Sequence, residues 1–336
     1  MRSRGVAPGI RWTDEGGLLA VRSAPDESPR VVRYDVPSGA PSGAPGHSAE
    51  STRVTVVEAP ATEGAVPEPE PVTWEGGEIG ATSHGTALHG LLWRCVRDSA
   101  SVPSSSRPLL VNLHGGPTDQ AVADWWPRAA YFLDRGWNIL TPNGRGSTGH
   151  GRSYTQALAG QWGVVDVVDV EAALRVAGPR GWGDPRRIAL SGGSAGGFTA
   201  LLVSAAVPDL VRATVVRYPV TDLEALAAAT HRFEAHYTDS LVGTLPDAAE
   251  IYRDRSPMTR AGSIAVPLLI LQGADDPAVP RPQTDAFVRA ARESGVDVDY
   301  RVYDGEGHGF SDPATVVDEL GRTEAFLARH VLSDPT

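Results

Sequence analysis

Ser194, Asp276 and His308 lie far apart in the chain, yet each stands just beyond a short apolar run. "RIALSGGSAGGFTALL" carries Ser194, "PLLILQGADDPAVP" carries Asp276 and "DYRVYDGEGHGF" carries His308. A serine, a carboxylate and an imidazole are the set that nucleophilic acyl transfer needs. A hydroxyl is a weak nucleophile until a base takes its proton, which neutral imidazole does near neutral pH. The carboxylate accepts the other imidazole N–H, fixes the tautomer and stabilises the imidazolium that forms. The tetrahedral intermediate puts negative charge on the former carbonyl oxygen, and backbone N–H groups must meet it. Ala195, next to the serine, and the His114-Gly115-Gly116 loop after "LLVNL" could supply them.

Each position has a rival reading. Gly192-Gly193-Ser194-Ala195-Gly196 fits the G-x-S-x-G turn between a strand and a helix, where glycines spare the crossing chains a Cβ clash. Taken alone, it could also be a Gly/Ser loop without chemistry. Asp275 competes with Asp276, which is preferred because it opens "DPAVP" three residues after Gly273. Among nine histidines, His308 is set apart by flanking glycines directly after a strand-like run. His114 reads as a hydrogen-bonding structural residue, and Ser191 and Ser204 as structural serines. The chain order serine, aspartate, histidine is that of α/β-hydrolases, and the joint pattern is far more specific than any one motif.

The elements that must position these residues alternate. "LHGLLWRCV", "PLLVNLHGG", "GWNILTPN", "RIAL", "RATVVRYPV", "VPLLILQG" and "DVDYRVYDG" read as strands. "VVDVVDVEAALRVA", the run after Ser194 and "DELGRTEAFLARHV" read as helices. This rhythm predicts an α/β fold with a mostly parallel central sheet and helices on both faces. Ligands of such sheets bind beyond the carboxyl ends of the strands, where the three residues fall. Residues 222–257 break the rhythm with a helical insertion facing the site or an ordinary crossover. In it Phe233 and Tyr237, at i and i+4, could bind substrate or pack in the core. Residues 1–70 form an N-terminal arm, with the hairpin "GGLLAVRSAP" and "PRVVRYDVPSG" followed by a Pro/Gly/Ser/Glu-rich linker. Residues 71–336 form the α/β-hydrolase domain.

Composition narrows the function. The 336 residues are 41% hydrophobic with net charge -11, and no basic run offers a phosphate footprint, so no nucleic-acid partner is expected. All 30 basic residues are arginine, which excludes a lysine base, a Schiff-base lysine and a P-loop lysine. Cys95 is the single cysteine and reads as a buried thiol; no disulfide, metal or cofactor is expected. No signal peptide and no run of ~18 apolar residues is visible, so a soluble cytoplasmic protein without a membrane partner is expected. A homo-oligomer is compatible with all of this.

"NLHGGPTDQ", "NGRGSTGHGRSY", "GQWGVVDVVDVEAAL", "RIALSGGSAGGFTALL", "THRFEAHYTDSLVG", "YRDRSP", "LLILQGADDPAVPRPQ" and "GEGHGF" occur in the order seen in the peptidase domain of the prolyl oligopeptidase family. From about Pro71 onward the chain resembles its dipeptidyl-peptidase/acylaminoacyl-peptidase-like branch. The resemblance implies an α/β-hydrolase fold and a serine peptidase acting on peptides or acylated peptides. It also implies catalytic Ser194, Asp276 and His308, with Gly116 and Ala195 as oxyanion-hole donors. Two departures stand out. The arm resembles at most one blade of the family's N-terminal β-propeller, so either the size filter is missing or the chain is part of a longer protein. "NGRG" at 143–146 has Gly144 where relatives usually carry an aromatic, which predicts a slightly wider or wetter cleft there. The rival functions are an esterase or thioesterase on the same residues, and a non-catalytic binding protein with a vestigial site.

Overall fold

A computed structural model describes residues 11–12, 17–25, 27–35, 53–57, 66–77, 86–95, 97, 101–229 and 236–333. The chain divides into two units, Met1–Pro69 with Val122–Leu133, and Glu70–Ala121 with Asp134–Thr336. In the first, β1 (Arg11–Trp12), β2 (Gly17–Ala24), β3 (Glu27–Asp35) and β4 (Arg53–Val57) form an antiparallel sheet in sequence order. The expected hairpin is β2–β3. Most of α1 (Pro127–Asp134) also belongs to this unit. The expected linker stretch "SGAPSGAPGHSAES" falls outside the described residues.

The second unit is built on β5 (Glu70–Glu75), β6 (Ala87–Trp93), β7 (Leu109–Leu113), β8 (Asn138–Asn143), β9 (Ile188–Gly193), β10 (Ala213–Arg217), β11 (Leu268–Gly273) and β12 (Val298–Tyr303). They form one sheet in the order β12-β11-β10-β9-β7-β8-β6-β5. The six strands from β12 to β8 run parallel, whereas β6 and β5 are antiparallel. Physical position explains the sequence of each strand. The inner β10 and β11, "ATVVR" and "LLILQG", are buried at every residue, as strands covered on both faces must be. The outermost strand β5 is mostly exposed and contains Pro71, which an edge tolerates because one side of the strand needs no ladder N–H.

Around the sheet lie α2 (Arg152–Gln156), α3 (Val165–Ala177), α4 (Ala195–Ala206), α5 (Leu223–Ala229), α6 (Tyr237–Val242), α7 (Ala249–Arg255), α8 (Pro257–Arg260), α9 (Arg281–Glu293) and α10 (Pro313–Leu327). α4 packs on β7, β9 and β10, with Phe198, Leu201 and Val203 fully buried and Ser204 bonded to Thr214 of β10 at 2.7 Å. The described part of residues 222–257 contains four short helices, or parts of them, α5 to α8. Because β7, β9, β10, β11 and β12 are parallel, their carboxyl ends share one edge. Gly116, Ser194, Tyr218, Asp276 and His308 follow those ends in turn.

Candidate active site

Ser194 caps α4 with φ 55° and ψ -122°, a backbone region that side-chain-bearing residues rarely adopt. Its geometry is imposed by close crossings. A Cβ at Gly192 would run into the Gly196 carbonyl, and one at Gly196 into the Leu113 carbonyl. Glycine is therefore required at both positions, which the motif alone could only suggest. The Ser194 N–H donates to Arg217 O at 3.1 Å, tying the turn to β10. The serine side chain is left at the mouth of α4, whose first N–H groups have no intrahelical partner and carry partial positive charge.

Asp276 and His308 meet directly. His308 Nδ1 lies 2.8 Å from Asp276 Oδ2. A carboxylate only accepts, so Nδ1 donates, and in the neutral tautomer that this selects, Nε2 keeps its lone pair for a proton. The Asp276 side chain is fully buried, and Oδ1 accepts the N–H groups of Ala278 and Val279, each at 2.9 Å. Asp275, one residue earlier, is exposed. Ser194 and His308 line one cavity of 560 Å³, together with Gly116, Ala195 and Trp162. That volume lies in the range of small-molecule and peptide-residue sites. All five sequence-predicted residues of the centre thus converge. The described lining carries no carboxylate or guanidinium; Val220, Leu226, Ala229 and Val279 make it largely apolar.

Gly116 has φ 115°, and a Cβ there would press on Thr118 N at 2.7 Å. Its neighbour His114 is bonded at both ring nitrogens, to Gly115 O at 2.8 Å and to Ser147 Oγ at 2.9 Å. Desolvation by burial pushes its pKa down, which favours the neutral ring, and its two bonds hold the loop in place. Tyr237 lines the cavity, and its hydroxyl accepts the Thr118 N–H at 3.1 Å, so it also ties α6 to the Gly116 loop. Phe233 lies outside the described residues. Ser191 accepts from Arg217 at 3.2 Å, while Ser204 bonds Ala200 O and Thr214 Oγ1, both structural arrangements.

One expectation is corrected. Gly144 does not line the main cavity. It borders a smaller space of 50 Å³ that shares Pro117 and Ala195 with the main cavity, and a Cβ there would lie 3.3 Å from Asp169. Asp169 is held by Arg145 through Nε at 3.0 Å and by the Arg145 N–H at 2.7 Å, so Gly144 accommodates a buried ion pair.

Three contributors escaped the sequence reading. Trp162 forms a cavity wall against Phe198, with ring centroids 4.6 Å apart. Glu306 accepts the N–H groups of Ser311 at 3.0 Å and Asp312 at 2.9 Å, closing the loop that carries His308. Tyr218, also at positive φ (37°), lays its ring against His308. Only Glu306 had a visible signal, as an acid two residues before the histidine. Among the described residues no group of three or more His, Cys, Asp or Glu could hold a metal. No helix among them is long and apolar enough to cross a membrane.

A sequence profile of the prolyl oligopeptidase family matches residues 125–334. The chain belongs to the prolyl oligopeptidase family. The family's α/β-hydrolase fold is seen again in a puromycin-hydrolyzing peptidase of Mycobacterium tuberculosis, with TM-score 0.85 and 31% identity, matching 97% of this chain and 48% of that one. The chain is 32% identical over 227 residues to dipeptidyl aminopeptidase BIII of Pseudoxanthomonas mexicana, covering 66% of this chain and 33% of the relative. It is 31% identical over 232 residues to the acylamino-acid-releasing enzyme of Homo sapiens, covering 67% and 31%. The chain thus spans about a third of the length of these curated relatives and about half of the solved one.

Proposed function

We propose that this chain is a serine peptidase that cleaves peptide or amide bonds of oligopeptides or acylated peptides through an acyl-enzyme on Ser194. The observation that carries the reading is the Asp276–His308 bond of 2.8 Å beside a cavity that also holds the strained Ser194. His308 Nε2 takes the Ser194 Oγ proton as Oγ bonds to the scissile carbonyl carbon. The carbonyl oxygen becomes an oxyanion facing the N–H groups of Gly116 and Ala195. His308 then returns the proton to the leaving amine nitrogen as the C–N bond breaks. Water, deprotonated by His308, attacks the Ser194 ester, and the collapse releases the acid and restores Oγ–H. Each step uses side chains and backbone groups of the chain itself.

The apolar lining supports an acyl group with an apolar or aromatic side chain. Puromycin, an amide of an aromatic amino acid, is a suitable first substrate, in line with the name of the relative at 31% identity. The test measures kcat/KM for aminoacyl and peptidyl p-nitroanilides and for puromycin. Substrates with Phe or Leu in the acyl position should exceed those with Asp or Arg by about tenfold or more, the scale of a buried side-chain contact. Turnover of p-nitrophenyl esters with none of any amide would instead make this an esterase or thioesterase.

A further inference from the structure

Tyr218 is an oddity that the catalytic reading does not use. It follows β10 directly and holds φ 37°, one of two side-chain-bearing residues with positive φ among the described ones; the other is Ser194. Such strain costs of order 1–3 kcal/mol and persists only where surroundings impose it. They do so here from three sides. The Tyr218 N–H donates to Leu271 O at 2.7 Å, anchoring the backbone to β11. Phe310 meets its ring edge-on, with centroids 5.4 Å apart. Gly193, just before the nucleophile, leaves it room: a Cβ there would lie 3.0 Å from Tyr218 Cε2 and 3.3 Å from its hydroxyl. The elbow crossing does not itself require glycine at 193, as it does at 192 and 196. The tyrosine ring gives Gly193 its reason.

What the strain achieves is contact with the imidazole. The Tyr218 ring centroid lies 4.7 Å from that of His308, tilted by 55°. We propose that Tyr218 is a positioning residue that fixes the His308 ring between itself and Asp276 and stabilises its imidazolium form. This rests on the reading of His308 as the general base. An aromatic ring attracts a cation, more strongly where water is kept away, and the base becomes a cation only as the hydroxyl loses its proton. The contact therefore favours the transition state over the ground state and acts on kcat. The other groups around the imidazole are accounted for. Asp276 holds Nδ1. Glu306 turns to Ser311 and Asp312. Arg217, beside Tyr218, directs its guanidinium to Asn112, Ser191 and Glu319. Asp275 is exposed on the loop before Asp276.

The test measures kcat, KM and the pH profile of p-nitrophenyl acetate hydrolysis for wild type, Tyr218→Phe and Tyr218→Leu. Leucine, unbranched at Cβ like tyrosine, meets the same backbone strain and fills the site without admitting water. Tyr218→Phe should match wild type, because the ring and not the hydroxyl acts. Tyr218→Leu should lower kcat by about three- to thirtyfold with KM changed less than about twofold. The acid limb of its kcat/KM profile should move to lower pH by about half a pH unit or more. If Tyr218→Leu fails to fold, Tyr218→Asn, whose side chain tolerates left-handed backbone, must move the limb the same way. A limb left in place by ring removal overturns the proposal, and so does a Tyr218→Phe variant as impaired as the leucine one. A wild type without an acid limb that depends on His308 overturns the reading of the base itself. That outcome is distinct, since failure of Tyr218 alone leaves the wild-type limb intact and shared by the variant.

Discussion

Asp275 and Asp276 are identical in chemistry and adjacent in sequence, yet only one is equipped to act on an imidazole. Asp276 is buried, accepts two backbone N–H groups on Oδ1 and meets His308 with Oδ2. Asp275 is exposed. Asp276→Asn keeps the volume but offers an amide where an acceptor-only group set the tautomer. We expect it to lower kcat by about 10⁴-fold, the scale seen when a triad imidazole is held in the wrong tautomer. Asp275→Asn should stay within about twofold, as exposed substitutions usually do. Steady-state kinetics on one amide substrate decides the matter, and the reverse ranking would assign the wrong carboxylate. The strained Ser194 follows the same logic. Its backbone geometry is held by crossings at Gly192 and Gly196, not chosen by the serine.

At the scale of elements, the loops after the parallel strands do the positioning, and the His308 loop shows how. Glu306 is buried, and its two carboxylate oxygens gather the Ser311 and Asp312 N–H groups beyond the histidine. Those bonds, the Ser311 N–H first, hold its pKa below the usual glutamate value against the opposing cost of burial. A carboxyl whose folded pKa is depressed contributes stability above its unfolded pKa and loses it as pH falls through the folded one. The wild-type melting temperature should therefore fall between about pH 5 and pH 3. Glu306→Gln should melt lower at pH 7, since it loses the charge that strengthens two hydrogen bonds, each worth about 1.5–3 kcal/mol to a charged acceptor, and its acid slope should be flatter. Calorimetry across that range checks both, and a wild-type-like slope in the variant would deny Glu306 the role of clamp. Much of this architecture was legible in the sequence. Runs such as "LLILQG" are apolar throughout because β11 is buried on both faces, and the reactive residues follow such runs. Edge strand β5 was obscured because exposure and Pro71 remove its apolar signature. Tyr218 left no trace, because neither its positive φ nor its approach to Gly193 has a sequence signature. For residues 222–257 a helical insertion facing the site was one of two expectations, with Tyr237 as a candidate lining residue; Leu226 and Ala229, which also line the cavity, carried no signal beyond helical apolar spacing.

At the scale of the whole molecule, one unit brings together groups from five strand ends, and the proposed mechanism draws only on groups of the chain itself. Activity should therefore be unchanged by prolonged treatment with chelators, and inhibition reversed by added zinc would contradict the mechanism. The central claim is that Ser194 is the nucleophile, and covalent labelling by a fluorophosphonate tests it most directly. Such a reagent reports an activated serine whatever the natural substrate is. It is therefore insensitive to the fact that the chain spans only about a third to a half of the relatives compared above. Intact-mass and peptide mapping of the labelled protein should show one adduct, on the peptide that contains Ser194. Ser194→Ala, with the wild-type melting profile, should take up none and should hydrolyse no amide. An adduct that persists in Ser194→Ala, or a wild type that stays unlabelled at a pH where His308 is neutral, would contradict the account.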